Sequence, residues 1–162
     1  MVSDNFSIRF ATERDVPIIL KFIAALAEYE RMAEEVTATE ERLQSSLFGE
    51  KRFAEVILGF ESDRPVGFAL FFHNYSTFLA KPGIYLEDLF VFPDHRGKGY
   101  GKALLTHLAK LAVQRNCGRL EWSVLNWNEP AIGFYEKLGA KAQDEWTVYR
   151  LTGETLERVA AG

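Results

Sequence analysis

The most distinctive stretch of this 162-residue sequence is the run Arg96-Gly97-Lys98-Gly99-Tyr100-Gly101. Glycines permit positive φ angles and let the backbone approach a ligand closely, while the arginine and the lysine supply positive charge. Where such a run opens a helix, the free N–H groups of the helix end favour an anion at the same place. The pattern therefore favours a diphosphate-binding loop, and a glycine-rich turn that only joins two elements is the alternative.

Two other phosphate-binding motifs fit this run poorly. A P-loop requires Gly-Lys followed directly by serine or threonine, whereas Gly97-Lys98 is followed by Gly99. A Rossmann dinucleotide fingerprint, read from either of the first two glycines, puts Lys102 or Leu104 where its third glycine belongs. If the loop binds a diphosphate, we therefore expect it to be of another kind, with the Rossmann fingerprint as a minor alternative.

The segments around the loop place it between a strand and a helix. Alternating and apolar patterns predict a strand over residues 84–91, a helix over 102–115 and a further strand over 119–125. A strand-helix-strand order implies a right-handed crossover and locally parallel strands. We therefore expect the loop at the end of a strand, directly before a helix N-terminus.

Two helices are predicted in the first third of the chain. Apolar residues at helical spacing predict a helix that Thr12 caps and that ends near Tyr29. Thr37 followed three residues later by Glu40 has the spacing of a capping box and predicts a second, shorter helix.

The remaining segments complete an α+β pattern. Strands are also predicted over residues 6–10, 53–60, 66–74 and 146–151, and a polar turn at 61–65 makes the middle two an antiparallel hairpin. Pro130 suits the first turn of a helix that runs to Leu138, and Gly139 suits its C-terminal cap. The sequence therefore predicts one α+β domain over residues 1–162, with a mixed, mainly antiparallel sheet.

Composition limits the partners and the cellular location. The net charge of −4 gives no basic surface for nucleic acid, and no signal-peptide pattern or long apolar run points to export or a membrane. Cys117 is the only cysteine, which suits a reducing cytoplasm. His73, His95 and His107 are scattered along the chain, so we expect no metal site.

Several motifs together resemble those of one enzyme family. The pattern Arg96-x-x-Gly99-x-Gly101 after a strand resembles the acetyl-CoA loop of the GNAT superfamily of N-acetyltransferases. Further motifs are similar to the diamine acetyltransferase branch, the spermidine/spermine and thialysine N-acetyltransferases: Leu86-Glu87-Asp88, Tyr100-Gly101-Lys102, Trp127-Asn128-Glu129-Pro130 and Phe134-Tyr135-Glu136-Lys137-Leu138-Gly139-Ala140. The combination is much more specific than the loop alone.

The resemblance implies the GNAT fold, in which two central strands splay apart and acetyl-CoA, the co-substrate, lies between them. The implied cofactor contacts come from the strand, the loop and a later helix: Leu89, Phe90, Val91, Arg96, Gly97, Lys98, Gly99, Tyr100, Gly101, Lys102, Asn128 and Tyr135. The strand amides would bind the pantetheine arm and the thioester carbonyl, and the loop would hold the diphosphate.

Acetyl transfer to an amine requires that a proton be removed. A primary alkyl ammonium has a pKa of about 10.4 and is almost wholly protonated at neutral pH. Glu87, on the strand that ends at the loop, can attract the ammonium and accept its proton. The resemblance assigns the base to Glu87 and the general acid to Tyr135; a solvated strand residue and a packed aromatic are the alternatives.

Two further expectations concern the mechanism. Because side chains alternate along a strand, Asp88 is expected on the opposite face from Glu87 and is the lesser candidate for the base. Neither Cys117 nor a serine has a recognisable base partner, so we expect direct transfer in a ternary complex.

The resemblance also indicates the acceptor, a small cationic amine such as a polyamine, a diamine or a thialysine-like or lysine-like amine. The matching substrate positions are Tyr29, Glu30, Glu87, Glu121, Trp122, Ser123 and Asp144. Two alternatives stay open, namely an acetyltransferase of another amine, such as an antibiotic or a protein N-terminus, and a CoA-binding module without turnover. The family pattern further implies a homodimer.

Overall fold

A single sheet with the strand order β1-β2-β3-β4-β5 organises the computed structural model, which describes residues 5–162. The strands are β1 Phe6–Phe10, β2 Glu55–Glu61, β3 Arg64–Ser76, β4 Lys81–Val91 and β5 Leu120–Trp122. Neighbours are antiparallel from β1 to β4, whereas β4 and β5 are parallel. The helix α3, Tyr100–Gln114, makes the crossover between them, so the predicted α+β class and mixed sheet are confirmed.

Two helices, α1 Val16–Tyr29 and α2 Glu40–Phe48, cover one face of this sheet. The apolar stripe of α1 provides Ile19 and Phe22, which are fully buried, and the Phe22 ring stacks on Phe68 of β3 with ring centroids 5.0 Å apart. Burial of these side chains against the sheet fixes α1, whose last residues therefore reach the edge of the sheet near β4.

The N-cap of α2 differs from the prediction. The side chain of Thr39, not that of Thr37, accepts the hydrogen bond from the Arg42 N–H, at 3.2 Å. Thr39 has extended backbone angles directly before Glu40, which places its hydroxyl over the first turn. The predicted helix is confirmed, and only its cap lies two residues later.

The helix α3 covers the other face of the sheet. Gly59 and Gly67 pair across β2 and β3, and a Cβ at Gly67 would lie 3.1 Å from a methyl carbon of the buried Leu104. The missing side chains allow α3 to pack close to the sheet, so that its N-terminus begins directly beyond the end of β4.

The chain forms two compact units, Met1–Ser123 and Val124–Gly162, and the second contains α4 Glu129–Lys137 and α5 Gly153–Ala161. Pro130 lies in the first turn of α4, and Gly139 has a φ of 87°, so the predicted helix and its C-terminal cap are confirmed. The single-domain organisation stays a prediction. Within residues 5–162, no helix has the length and hydropathy needed to cross a membrane.

The strand predicted over residues 146–151 is wrong. This segment forms no strand, and Trp146, Val148 and Tyr149 are 80%, 81% and 93% exposed. An alternating pattern gives a strand only where a neighbouring strand satisfies its amides and a core covers one face. Within the described residues this segment has neither.

Candidate active site

Within residues 5–123, the edge of β4 that faces away from β3 has no partner strand over its last five residues. β5 pairs with β4 only from Ile84↔Leu120 to Leu86↔Trp122, and within residues 5–123 no strand continues this ladder from Glu87 to Val91. The side chains of Phe90 and Val91 are buried, so a ligand at this edge would contact their backbone N–H and C=O groups. The open edge provides a place where an extended ligand can lie beside β4 like an additional strand.

A β-bulge interrupts β4 at Glu87. Leu70 of β3 pairs with Asp88 and Phe71 pairs with Leu86, which leaves Glu87 without a partner on β3. Leu70 packs on the face of the sheet that α1 and α2 cover, whereas Phe71 contacts a guanidinium at the end of α3 on the other face. Paired residues share a face of the sheet, so Asp88 and Leu86 point to opposite faces. Strict alternation along β4 is therefore interrupted between Leu86 and Asp88, because the bulge adds one residue at this point.

Asp88 at the bulge is influenced by two other carboxylates. Burial first, and then repulsion from Glu87 and Glu30, raises the pKa of Asp88 to about 6. Burial also raises the pKa of Glu30, which directly follows α1. Glu87 itself is exposed. The site therefore holds concentrated negative charge that favours a proton or a cation.

The loop after β4 has the backbone expected of an anion-binding loop. Gly97 and Gly99 have φ angles of 77° and 82°, a region that side chains disfavour, and α3 begins immediately afterwards at Tyr100. The Nε of Arg96 donates to the Val91 carbonyl at 2.9 Å. The loop therefore brings successive N–H groups to the N-terminus of a 15-residue helix, at the end of the open edge of β4.

The guanidinium of Arg96 also connects the loop to α1. It lies 4.8 Å from the ring centroid of Tyr29 and 5.1 Å from that of Phe90. Cation–π contacts of this kind hold the guanidinium between the end of α1 and the end of β4. Arg96 and Tyr29, predicted for the cofactor and the acceptor respectively, are therefore in contact with each other.

Glu61, at the end of β2, contacts residues in and around the glycine-rich loop, and the sequence analysis missed it. Its carboxylate accepts hydrogen bonds from Lys98 Nζ at 2.8 Å and from the Tyr100 hydroxyl at 2.5 Å, and His95 Nδ1 lies 2.9 Å away. The bonds from Lys98 and Tyr100 lower the pKa of Glu61 to about 2. No sequence motif marks an acid in a hairpin turn as a partner of residues more than 30 positions away.

The predicted substrate residues on and after β5 have partners within the chain. Glu121 accepts a hydrogen bond from Asn74 at 2.9 Å and forms an ion pair with Arg119 at 2.6 Å. The Ser123 and Tyr85 hydroxyl oxygens are 2.6 Å apart. Trp122 is half-buried. The ion pair with Arg119 offsets the negative charge of Glu121. In this respect Glu121 differs from the three carboxylates at the bulge.

The other predicted residues lie in the Val124–Gly162 unit. Asn128 is buried and caps α4 by accepting a hydrogen bond from the Ala131 N–H at 3.4 Å. Tyr135 is half-buried on the same helix, with its ring centroid 5.3 Å from that of Phe134. Asp144 is exposed in an irregular segment. Among residues 5–162, no group of three or more His, Cys, Asp or Glu side chains is arranged to hold a metal ion.

Comparison with known proteins identifies the family. The model of the acetyltransferase (GNAT) family matches residues 21–140, which include the open edge of β4 and the loop. The chain belongs to this family. The resemblance described from the sequence motifs is therefore confirmed, and the protein is a GNAT N-acetyltransferase.

Individual GNAT relatives match nearly the whole chain. It is 37% identical to an L-ornithine N5-acetyltransferase of Arabidopsis thaliana, over 94% of this chain and 86% of that protein. It is 35% identical to the thialysine N-epsilon-acetyltransferase of Bos taurus, over 94% of this chain and 96% of that protein. A solved integron cassette protein from V. cholerae has a TM-score of 0.83 at 29% identity, covering 99% of this chain and 100% of that one. These relatives are consistent with an enzyme of the diamine acetyltransferase branch that acts on amines.

Proposed function

We propose that this protein transfers an acetyl group from acetyl-CoA to a primary amine of a small cationic acceptor, in a ternary complex and without an acetylated enzyme intermediate. The acceptor class comprises polyamines, diamines and thialysine-like or lysine-like amines, to which the ornithine relative adds a shorter member. We further propose that the enzyme is a cytoplasmic homodimer.

The observation that carries the acceptor class is the cluster of Glu30, Glu87 and Asp88 at the bulge of β4. Burial first, and then the charges of Glu87 and Glu30, raises the pKa of Asp88 to about 6, and a bound cation would relieve the repulsion among these carboxylates. An acceptor with a second cationic group satisfies more of this negative charge than a neutral amine does. The cluster also lies on the strand that ends at the anion-binding loop, so donor and acceptor would meet along β4.

The residues present fit acetyl-CoA. The left-handed glycines at 97 and 99 and the N-terminus of α3 suit the diphosphate, and the open edge from Glu87 to Val91 suits an extended pantetheine arm. When bound, acetyl-CoA supplies the thioester that the amine attacks. The side chain of Arg96 holds the loop against Tyr29, so its role is to position the loop as well as to add charge.

Glu87 is the residue proposed to accept the proton of the ammonium, directly or through a water molecule. At pH 7 only about one alkyl amine molecule in 2,500 is unprotonated, so a carboxylate beside the amine removes a substantial part of the barrier. The phenol of Tyr135 is proposed to donate a proton to the departing thiolate, as the family resemblance implies. Asp88, with its raised pKa, is expected to give up its proton when a cation binds.

A thiol-release assay tests the reaction and the acceptor together. Acetyl-CoA is supplied with spermidine, spermine, putrescine, thialysine, lysine, ornithine or no amine, and product masses are checked. We expect amine-dependent thiol release with at least one member of the panel. CoA binding without release on any amine would contradict the acceptor class and favour a different amine or a module without turnover.

Replacement of the proposed base tests the mechanism. Glu87→Gln keeps the size of the side chain but removes the basic carboxylate, so turnover at neutral pH should fall by about 100-fold while the dissociation constant of CoA changes little. Glu41→Gln, an exposed position on α2, is the matched control and should behave like the wild type. Unchanged turnover in Glu87→Gln would remove this residue from the mechanism.

A further inference from the structure

A second polar cluster lies on the sheet beside β5, and the proposed chemistry makes no use of its positively charged member. Arg119, directly before β5, forms an ion pair with Glu121, in which Arg119 Nε is 2.6 Å from Glu121 Oε1. Asn74 of β3 donates to the same carboxylate oxygen at 2.9 Å. The side chains of Arg119 and Glu121 are 38% and 36% exposed, so a ligand can reach both charges from solvent.

The absence of a side chain at Gly83 makes room for this cluster. Asn74 pairs with Gly83 across β3 and β4, and a Cβ at Gly83 would overlap Asn74 Oδ1 and lie 3.1 Å from Arg119 Cγ. The guanidinium is held from a second side, because Arg119 Nη2 donates to the Tyr75 carbonyl at 3.3 Å. Neighbouring strands therefore fix both charges, which is typical of a preformed binding site.

Each charged group also keeps atoms available for a ligand. Among residues 5–162, Arg119 Nη1 donates no hydrogen bond to another residue, and Glu121 Oε2 accepts none. A guanidinium binds carboxylates well, and a carboxylate oxygen binds an ammonium group. The pair therefore matches a ligand that carries a carboxylate and an ammonium next to each other, as the head of an α-amino acid does.

The pair lies on the same face of the sheet as Asp88. Glu121 is in register with Tyr85, whose ring centroid is 5.2 Å from that of Phe72. Phe72 is two residues from Leu70, the partner of Asp88. With ideal strand spacings, the α-carbons of Glu121 and Asp88 are about 8 Å apart. An extended chain of four or five bonds spans about 5 to 6 Å, and the protein side chains at its two ends cover the remainder.

The positive charge of Arg119 distinguishes two kinds of acceptor. A diamine or polyamine would bring a second ammonium group to this position, where the guanidinium repels it. An amino acid with a side-chain amine would instead present its carboxylate to Arg119 and its α-ammonium to Glu121. A site built to bind a polar group also rejects an analogue that lacks this group, because the site's own polar atoms are then left unpaired.

We propose that Arg119 is a specificity-determining residue that binds the α-carboxylate of an amino-acid acceptor, while Glu121 binds its α-ammonium. The side-chain amine of the acceptor then lies at the carboxylates of the bulge and is the group that is acetylated. The acetylation step rests on the proposed function, whereas binding of the head group can be measured without turnover.

Two matched pairs of amines isolate the contribution of the carboxylate. L-lysine differs from cadaverine only by this group, and L-ornithine differs from putrescine in the same way. All four are titrated calorimetrically into the wild type, Arg119→Gln and Arg119→Lys, and kcat and KM are measured with acetyl-CoA. Arg14→Gln, at an exposed position between β1 and α1, is the control because it changes the net charge equally.

The wild type should bind each amino acid about tenfold more tightly than the matching diamine. Arg119→Gln should abolish this ratio by weakening the amino acids alone, through a higher KM at nearly unchanged kcat. Arg119→Lys should restore part of the preference, and Arg14→Gln should keep all of it. Glu121→Gln should weaken L-lysine but not Nα-acetyl-L-lysine, which has no α-ammonium.

The proposal is overturned if the wild type does not bind the amino acids more tightly than the diamines. It is also overturned if Arg119→Gln weakens both members of a pair equally, as loss of a purely structural ion pair would. Acetylation of the diamines would in both cases leave the proposed function standing. Tighter binding of the amino acids without acetylation of any amine would contradict the proposed function and still support the head-group site.

Discussion

Replacing Asp88 with asparagine removes a carboxylate whose ionised form is destabilised in the folded protein. An aspartate has an ordinary pKa of 3.8, and burial together with Glu87 and Glu30 raises the pKa of Asp88 to about 6. The folded state therefore binds this proton more tightly than the unfolded state does. The stabilising effect of that proton is complete below about pH 4 and is lost as the pH rises towards 6.

The size of the effect follows from the two pKa values. At 1.36 kcal/mol per pH unit, the rise from 3.8 to about 6 corresponds to about 3 kcal/mol of lost stability above pH 6. Asp88→Asn has nearly the same shape and no charge, so at pH 7.5 it should be more stable than the wild type by up to about 3 kcal/mol.

Urea unfolding at pH 4.5, 5.5, 6.5 and 7.5 measures this difference, which includes the relief of Glu87 and Glu30 from the charge of Asp88. The advantage of Asp88→Asn should grow up to about pH 6 and then stay constant, while Asp63→Asn in the exposed β2–β3 turn should follow the wild type. A difference that is independent of pH, or a variant that is less stable than the wild type at pH 7.5, would refute the reasoning.

Two further predictions concern the loop and the proposed acid. Glu61→Gln keeps an acceptor for the Tyr100 hydroxyl but removes the negative charge that pairs with Lys98. In calorimetry CoA should therefore bind about twofold more tightly at low salt, and the gain should shrink at high salt. Weaker binding would contradict this. Tyr135→Phe removes the phenolic proton donor and should lower turnover by about 100-fold. Circular dichroism should show that the fold is retained. Wild-type rates across the pH profile would exclude Tyr135 as the general acid.

The order of the elements and the loop were predictable because they depend on local patterns. The periodicity of α1 and α3, the turn after β2 and the glycines before α3 each act over a few residues. The predicted α4 and its cap at Gly139 were found for the same reason. The strand over residues 146–151 failed because a strand also requires a partner, which a local pattern does not contain.

The sequence did not reveal the geometry of the acidic site. The bulge at Glu87 depends on how β3 and β4 pair, and nothing in the residues Leu86-Glu87-Asp88 announces an extra residue. The prediction that Asp88 lies on the face opposite Glu87 does not take this extra residue into account. Glu61 was missed for a related reason, since its contacts join the β2–β3 hairpin to a loop more than 30 residues later.

The strand order β1-β2-β3-β4-β5 has a consequence for the way this sheet assembles. The pairs β2–β3 and β3–β4 close short turns and should form quickly, whereas β1 and β2 pair across α1 and α2. The parallel pair β4–β5 must wait for the α3 crossover, and only three residue pairs hold it. Even after β5 has paired, the edge of β4 from Glu87 to Val91 has no partner strand within residues 5–123, so strands of other chains could add to it. The two adjacent acids at the bulge discourage that addition, so the charges that would attract the acceptor also protect the nascent sheet from aggregation.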